Sequence, residues 1–103
     1  MEIRFDNKTI KGICSSPANA NKRLGSLRAK TLFLRISQIL AANNVDELRP
    51  PTPGKFHELI ADRKGQWACS LGGNWRLIFT VSTDVTDNKN VAVAVIVEVV
   101  DYH

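Results

Sequence analysis

Cysteine is scarce: the 103 residues hold two, Cys14 and Cys69. Two cysteines this far apart cannot form a disulfide framework or the close-spaced knuckle of a zinc site. Both are read as reduced thiols, Cys69 in the core. Histidine is equally scarce, at two, His57 and His103, and no His or Cys pair falls at ligand spacing. No metal and no cofactor are therefore expected. Long apolar runs are missing, since none approaches the ~20 residues of a membrane helix. The N-terminal MEIRFDNK is charged and has no apolar signal core, so neither a membrane span nor export by that route is expected, and the chain reads as cytoplasmic. Internal repeats and low-complexity tracts are also absent. Positive charge is missing from residues 90–103, which contain no Lys or Arg.

What is present fits one domain, residues 1–103, long enough for a two-layer core. Hydrophobic residues make up 44% and charged residues 23%, the balance of an ordinary globular chain. The net charge is +4 and the pI about 9.4. Lys8, Lys11, Lys22, Arg23, Arg28, Lys30 and Arg35 lie before residue 36, and Arg63, Lys64 and Arg76 follow in the middle of the chain. Such a distribution attracts phosphate backbones, and it also suits a solvated helix face.

Ile3-Arg4-Phe5 alternates like a short strand. Residues 7–16 suit one or two helical turns ending near Pro17. Residues 18–43 read as helix: Ala29, Leu32, Phe33, Ile36 and Leu40 recur at helical spacing, with Leu24 and Ile39 flanking the stripe. Gly25 marks a kink or a gap between two helices. Residues 48–54, LRPPTPG, form a stiff extended connection, because proline fixes φ and disfavours helix in the residue before it. Residues 82–90 are polar and read as a loop or hairpin end. Residues 91–100, VAVAVIVEVV, are apolar on both faces except at Glu98, the pattern of a strand with neighbours on both sides.

Residues 55–79 organise the rest. They read as three short strands joined at Asp62-Arg63-Lys64-Gly65, a type I turn with its cations at the exposed tip, and at Gly72-Gly73-Asn74. Pairing Leu71 with Trp75, Cys69 with Leu77 and Trp67 with Phe79 puts only apolar residues on one face. The other face then carries Ser70 opposite Arg76, Ala68 opposite Ile78 and Gln66 opposite Thr80. A slip of one residue would set tryptophan against polar groups, so the pattern selects the register. Helices first and strands after predict an α+β fold, N-terminal helices packed on one face of a small, mostly antiparallel, twisted sheet.

Strand alternation at the end of the chain sets Asp101 and His103 on one face and Tyr102 on the other. His57, Arg76, Asp101 and His103 are then candidates for one surface. Imidazole exchanges protons near neutrality, a carboxylate can orient it, and the guanidinium fork holds phosphate. That set suits metal-free cleavage of RNA: a base takes the 2′-OH proton, an acid protonates the leaving 5′ oxygen, and cations offset the charge on phosphorus. Each side chain also has a plain structural reading. His57 could be a surface strand residue, Tyr102 a cap on the core, and His103 a frayed end. Arg76 could pair with Asp101 or Glu98, and Trp67 and Trp75 could be core rather than platforms for bases.

The run Leu48-Arg49-Pro50-Pro51 to Phe56-His57-Glu58-Leu59, then Asp62-Arg63-Lys64-Gly65-Gln66-Trp67, Asn74-Trp75-Arg76-Leu77 and Val97-Glu98-Val99-Val100-Asp101-Tyr102-His103, resembles the HigB toxins. These plasmid-maintenance killer proteins belong to the RelE/ParE toxin superfamily. The resemblance implies a RelE-like fold and a toxin of a bacterial type II toxin–antitoxin system. It implies a metal-independent endoribonuclease that cuts mRNA in the ribosomal A site of the 30S subunit and so inhibits translation. His57, Arg76, Asp101, Tyr102 and His103 are implied as the catalytic set, and Arg63, Lys64 and Lys55 as cations that meet RNA. The implied partners are a helix-turn-helix antitoxin of the HigA kind, the ribosome and mRNA, with operator DNA reached only through the antitoxin and no membrane. A ParE-like inhibitor of DNA gyrase is the alternative, as is an inactive relic that only binds its antitoxin. The terminal Asp101-Tyr102-His103 argues against the gyrase inhibitor.

Overall fold

Asn7 starts the first helix: its side-chain oxygen accepts from the Ile10 amide at 2.9 Å, satisfying an amide the helix itself leaves open. The computed structural model describes residues 1–101; Tyr102 and His103 lie outside them. The helix begun at Asn7 is α1, Lys8–Ser15. Ser16 caps α2, Pro17–Leu24, by accepting from the Asn19 amide at 3.3 Å, and Pro17 sits at the first helical position, where no amide hydrogen is needed. Gly25, at φ 83°, then turns the chain into α3, Ser26–Ala41. Of the two readings of Gly25, the gap between helices is the one observed. The Met1 ammonium donates to the carbonyls of Ile39 and Leu40, both at 3.2 Å, and of Ala42, closing the negative end of α3.

The buried stripe of α3 is Ala29, Leu32 and Ile39, with Phe33 and Ile36 half-buried beside it. Leu40, expected inward, is 55% exposed. Adjacent residues diverge by about 100° around a helix, so a flat sheet takes one of Ile39 and Leu40, and it takes Ile39.

The strands are β1 (Glu2–Phe5), β2 (His57–Glu58), β3 (Gln66–Gly72), β4 (Trp75–Thr86) and β5 (Lys89–Asp101). Their spatial order is β1-β5-β4-β3-β2. β1 runs parallel to β5 and the other pairs are antiparallel, so the helices lie on one face of a mostly antiparallel sheet. The doubly apolar β5 has β1 on one side and β4 on the other, as its sequence requires.

Five of the six pairs read for β3 and β4 are observed, from Gln66–Thr80 to Ser70–Arg76. The sixth differs. A bulge after Ser70 sets Gly72, not Leu71, opposite Trp75, and Gly72 and Gly73 both have positive φ, 111° and 57°. Of the two readings of residues 82–90, the hairpin end is the one observed, with most of the stretch in strand: β4 runs to Thr86 and β5 starts at Lys89. Asp87 and Asn88, at φ 51° and 64°, make the two-residue turn between them. Paired positive φ values match the right-handed twist of the flanking strands, which is how so polar a stretch sustains a hairpin. Residues 62–65 are not a type I turn either. A 3-10 turn, Ala61–Arg63, leads to Gly65 at φ 91°, and the Leu59 amide bonds the Gln66 carbonyl at 2.8 Å to close the connection.

Phe56 and Phe79 meet edge to face between the sheet and the helices, with centroids 6.1 Å apart, both fully buried. Phe79→Ala is expected to destabilise the fold by ~3–5 kcal/mol in denaturant titration, and Leu40→Ala to change it by no more than ~0.5 kcal/mol. Burial pushes the Cys14 thiol up to about 11 and the Cys69 thiol to about 12, although Arg35 and Arg76 pull Cys69 back. Neither thiol is expected to react with iodoacetamide at pH 8 until the chain unfolds. Both raised values mean that the unfolded chain loses its thiol protons first. This part of the stability is therefore fully present below the ordinary thiol value of 9.0 and is lost as pH climbs towards 11 and 12.

Candidate functional site

The connection before β2 is fastened at both sides. Gln38 of α3 donates Nε2 to the Pro53 carbonyl at 2.8 Å, and Arg35 donates Nη1 to Gln38 Oε1 at 3.0 Å. Arg35 Nε donates to the Ser70 carbonyl at 2.8 Å, and the Ser70 amide donates to the Gly54 carbonyl at 2.8 Å. Gly54 sits at φ 119°. A Cβ there would fall 2.7 Å from the Phe56 ring and 3.0 Å from Arg35 Nε, so only glycine fits. Phe56 is buried, and the strand alternation that buries it turns His57 to the other face of the sheet.

His57 is exposed, and its Nδ1–H donates to the Lys55 carbonyl at 2.8 Å. A carbonyl can only accept, so in the neutral ring the proton is on Nδ1 and the lone pair on Nε2, which is left as the acceptor. Lys55 and Ala61, on either side of β2, hold φ at 55° and 60° without being glycine. Such positions carry ~1 kcal/mol or more of strain each and cluster where a site requires them.

The pleat shows what shares a face with His57. Paired residues point the same way, so His57, Ala68, Ile78 and Glu98 form one row across the sheet, and Ser70, Arg76 and Val100 form part of the next. His57 and Arg76 therefore share the face that carries no helices. Their Cα atoms are on the order of 10 Å apart by strand spacing, a gap that a phosphodiester between two long side chains can bridge. Arg76 Nη1 donates to the carbonyls of Gly73 and Trp75, both at 2.9 Å, which orients the guanidinium and leaves its other N–H groups for a ligand.

Arg63 is not at an exposed tip. Its Nη1 pairs with the Glu98 carboxylate and donates to Gln66 Oε1 at 3.2 Å, laying the side chain over the same sheet face. The 3-10 turn replaces the type I turn and aims Arg63 inward. Lys55 and Lys64 are exposed near β2. Lys64 borders a groove of about 360 Å³ shared with Glu58, Leu59 and Ile60.

Asp101 departs from the expected single surface. It pairs with Trp75, and Val99, two residues earlier, is buried opposite Leu77, so Asp101 falls on the helix side of the pleat while Arg76 falls on the other. The carboxylate is exposed at the margin of the sheet. Glu98, the one charge in its run, marks the outward phase, and Asp101 lies three residues on, in the opposite phase; that signal was available in the sequence. Tyr102 and His103, the remaining candidates, lie outside the described residues.

Trp67 is buried with Arg49 stacked over its ring, 4.6 Å from the centroid, which makes it core. Trp75 is half-buried, with Arg28 6.0 Å from its ring. Sequence reasoning missed Arg35 and Glu98 as the side chains that position this region. An arginine on a helix and a lone glutamate in an apolar strand give no local sign of partners 35 residues away. Among the described residues, no group of three or more His, Cys, Asp or Glu gathers where it could hold a metal, and no helix is long and apolar enough to cross a membrane.

Gly54→Ala is expected to destabilise the fold by ~1–3 kcal/mol and to disturb the His57 ring resonances more than those of the β4–β5 hairpin, as read by NMR.

Comparison with known proteins agrees with this architecture. In the solved structures, a "YoeB/ParE toxin from Agrobacterium tumefaciens" superposes with a TM-score of 0.57 at 14% identity, covering 100% of this chain and 99% of that one. A "YoeB-YefM complex from Staphylococcus aureus" gives 0.51 at 17% identity, covering 100% and 97%. At these identities the likeness is one of fold. No curated protein sequence matches the chain. The family described as "RelE-like toxin of type II toxin-antitoxin system HigB" matches residues 4–103, nearly the whole length. With the three helices on a mixed five-stranded sheet, that match places the chain in the HigB-like toxins, the RelE-like toxins of type II toxin–antitoxin systems.

Proposed function

We propose that this toxin is a ribosome-dependent endoribonuclease that cuts mRNA in the A site without a metal, and that an antitoxin with a helix-turn-helix domain restrains it. The observation that carries this reading is the His57 ring, held by its Nδ1–H so that Nε2 presents a lone pair on the face that also bears Arg76. Nε2 takes the proton of a ribose 2′-OH. The 2′ oxygen bonds to phosphorus, and the bond from phosphorus to the 5′ oxygen breaks. The departing oxygen takes a proton from an acid, for which His103, the chain's other imidazole, is the candidate. Arg76 offsets the charge gathering on the phosphoryl oxygens. Asp101 falls on the other side of the pleat from His57 and Arg76 and takes no step here; Tyr102 is assigned to stacking on an unpaired base. Lys55, Lys64 and Arg63 are assigned to RNA backbone, with Arg63 exchanging Glu98 for a phosphate. The "YoeB-YefM complex" among the fold neighbours supports a protein partner of the antitoxin kind. Operator binding through that partner belongs to the same reading.

Primer extension on mRNA with purified toxin tests this directly. Cuts at A-site codons are expected only when ribosomes are present. His57→Ala is expected to slow cleavage by ~10²–10⁴-fold, and Arg76→Ala by ~10²–10³-fold, with Arg76→Lys restoring little because the planar fork is lost. Intact mRNA together with inhibited supercoiling by DNA gyrase would replace this reading with the ParE-like one. Inertness in both assays with retained antitoxin binding would leave an inactive relic.

A further inference from the structure

We propose that a groove between the α2–α3 junction and the β3–β4 turn is where an acidic, apolar-anchored segment of the antitoxin docks. This rests on the toxin–antitoxin reading above. The groove has a volume of about 450 Å³. Its floor is apolar, from the buried Leu24 and Leu71, and its far wall is the Gly72-Gly73 backbone. At its rim Leu27 is 79% exposed, although it sits in the first turn of a helix whose other face fills the core. Leu34, two helical turns further on, is 55% exposed. Thr31 lies between them and ties its hydroxyl back to the Leu27 carbonyl at 3.1 Å. Leu27, Thr31 and Leu34 at i, i+4 and i+7 form a second apolar stripe on α3, continuous with the groove and unmatched by anything in the described chain.

Charge identifies the occupant. Residues 7–45 hold seven Lys or Arg and no Asp or Glu, so this helical layer carries +7 in a chain of net +4. Arg28 lines the groove itself and stands over Trp75. A partner therefore needs carboxylates to face Arg28 and its neighbouring cations, and apolar side chains to cover two leucines. RNA would answer the charge and leave the leucines uncovered, so the two observations together favour an acidic peptide. Gly73, in the groove wall, is also the residue whose carbonyl orients Arg76. An occupant would therefore press on the turn that holds the candidate phosphate ligand.

The test pairs purified antitoxin, taken from the reading frame beside the toxin's own, with wild-type toxin and the double variant Leu27→Glu/Leu34→Glu, by calorimetry. Both leucines are exposed, so the variant is expected to melt with the wild type and to keep its activity in the primer-extension assay. Antitoxin affinity is expected to fall by at least ~10-fold, and Arg28→Ala is expected to weaken binding with a reduced salt dependence. Unchanged affinity in the double variant would overturn the proposal, as would wild-type toxin that forms no complex. Loss of ribosome binding with unchanged antitoxin affinity would assign the groove to RNA. A wild-type dimer that Leu27→Glu/Leu34→Glu dissociates, with unchanged antitoxin affinity, would assign it to a second copy. If wild-type toxin cuts no mRNA yet loses antitoxin affinity on substitution, the nuclease reading fails and the groove stands.

Discussion

The backbone of Ser70 is gripped from two sides, and the candidate site depends on that grip. Its amide donates to Gly54 and its carbonyl accepts from Arg35, each at 2.8 Å. β2 is two residues long and could not hold its place by pairing alone. Tied through Ser70 to β3 and through Arg35 and Gln38 to α3, the connection before β2 delivers Phe56 into the core and His57 onto the open sheet face. The bulge just after Ser70 belongs to the same construction, because it releases the chain into the turn whose Gly73 carbonyl orients Arg76.

The two faces of the sheet divide the work. One carries the helices and the core. The other carries His57 and Arg76, with Arg63 drawn across it by Glu98. Both partners are only about a third exposed, so an Arg63 drawn to a phosphate leaves Glu98 to be resolvated, a cost the phosphate contact must offset. The positive charge of the chain sits mostly on the helical layer instead. The cations nearest His57 on the open face are Arg63, Lys55 and Lys64, few beside the seven of the helical layer.

Much of this was legible in the sequence. The register of β3 on β4 followed from keeping Trp67, Cys69, Leu77 and Phe79 on one face, and burial confirms that face as core. The doubly apolar β5 announced neighbours on both sides. Local chemistry misled where a few residues at a turn decided the geometry. Asp87 and Asn88 accept positive φ, so the hairpin end read in residues 82–90 is only two residues wide and strand occupies the rest. Ala61 does so as well, so the basic loop turned Arg63 inward. The placement of Asp101 opposite Trp75 was readable from the phase of Glu98, but proximity in sequence to Tyr102 and His103 suggested one common surface. The partners of Arg35 could not be found this way, because they join parts of the chain that only the fold brings together.

The central claim is chemical: the neutral His57 ring keeps its proton on Nδ1 and offers Nε2 as a base. Long-range ¹H–¹⁵N correlation of the neutral imidazole reads the tautomer directly. Protonated Nδ1 and pyridine-like Nε2 at His57 are expected, with the pattern weakened when Gly54→Ala shifts the connection. A ring protonated on Nε2, or one averaging between tautomers as a free side chain does, would contradict the account.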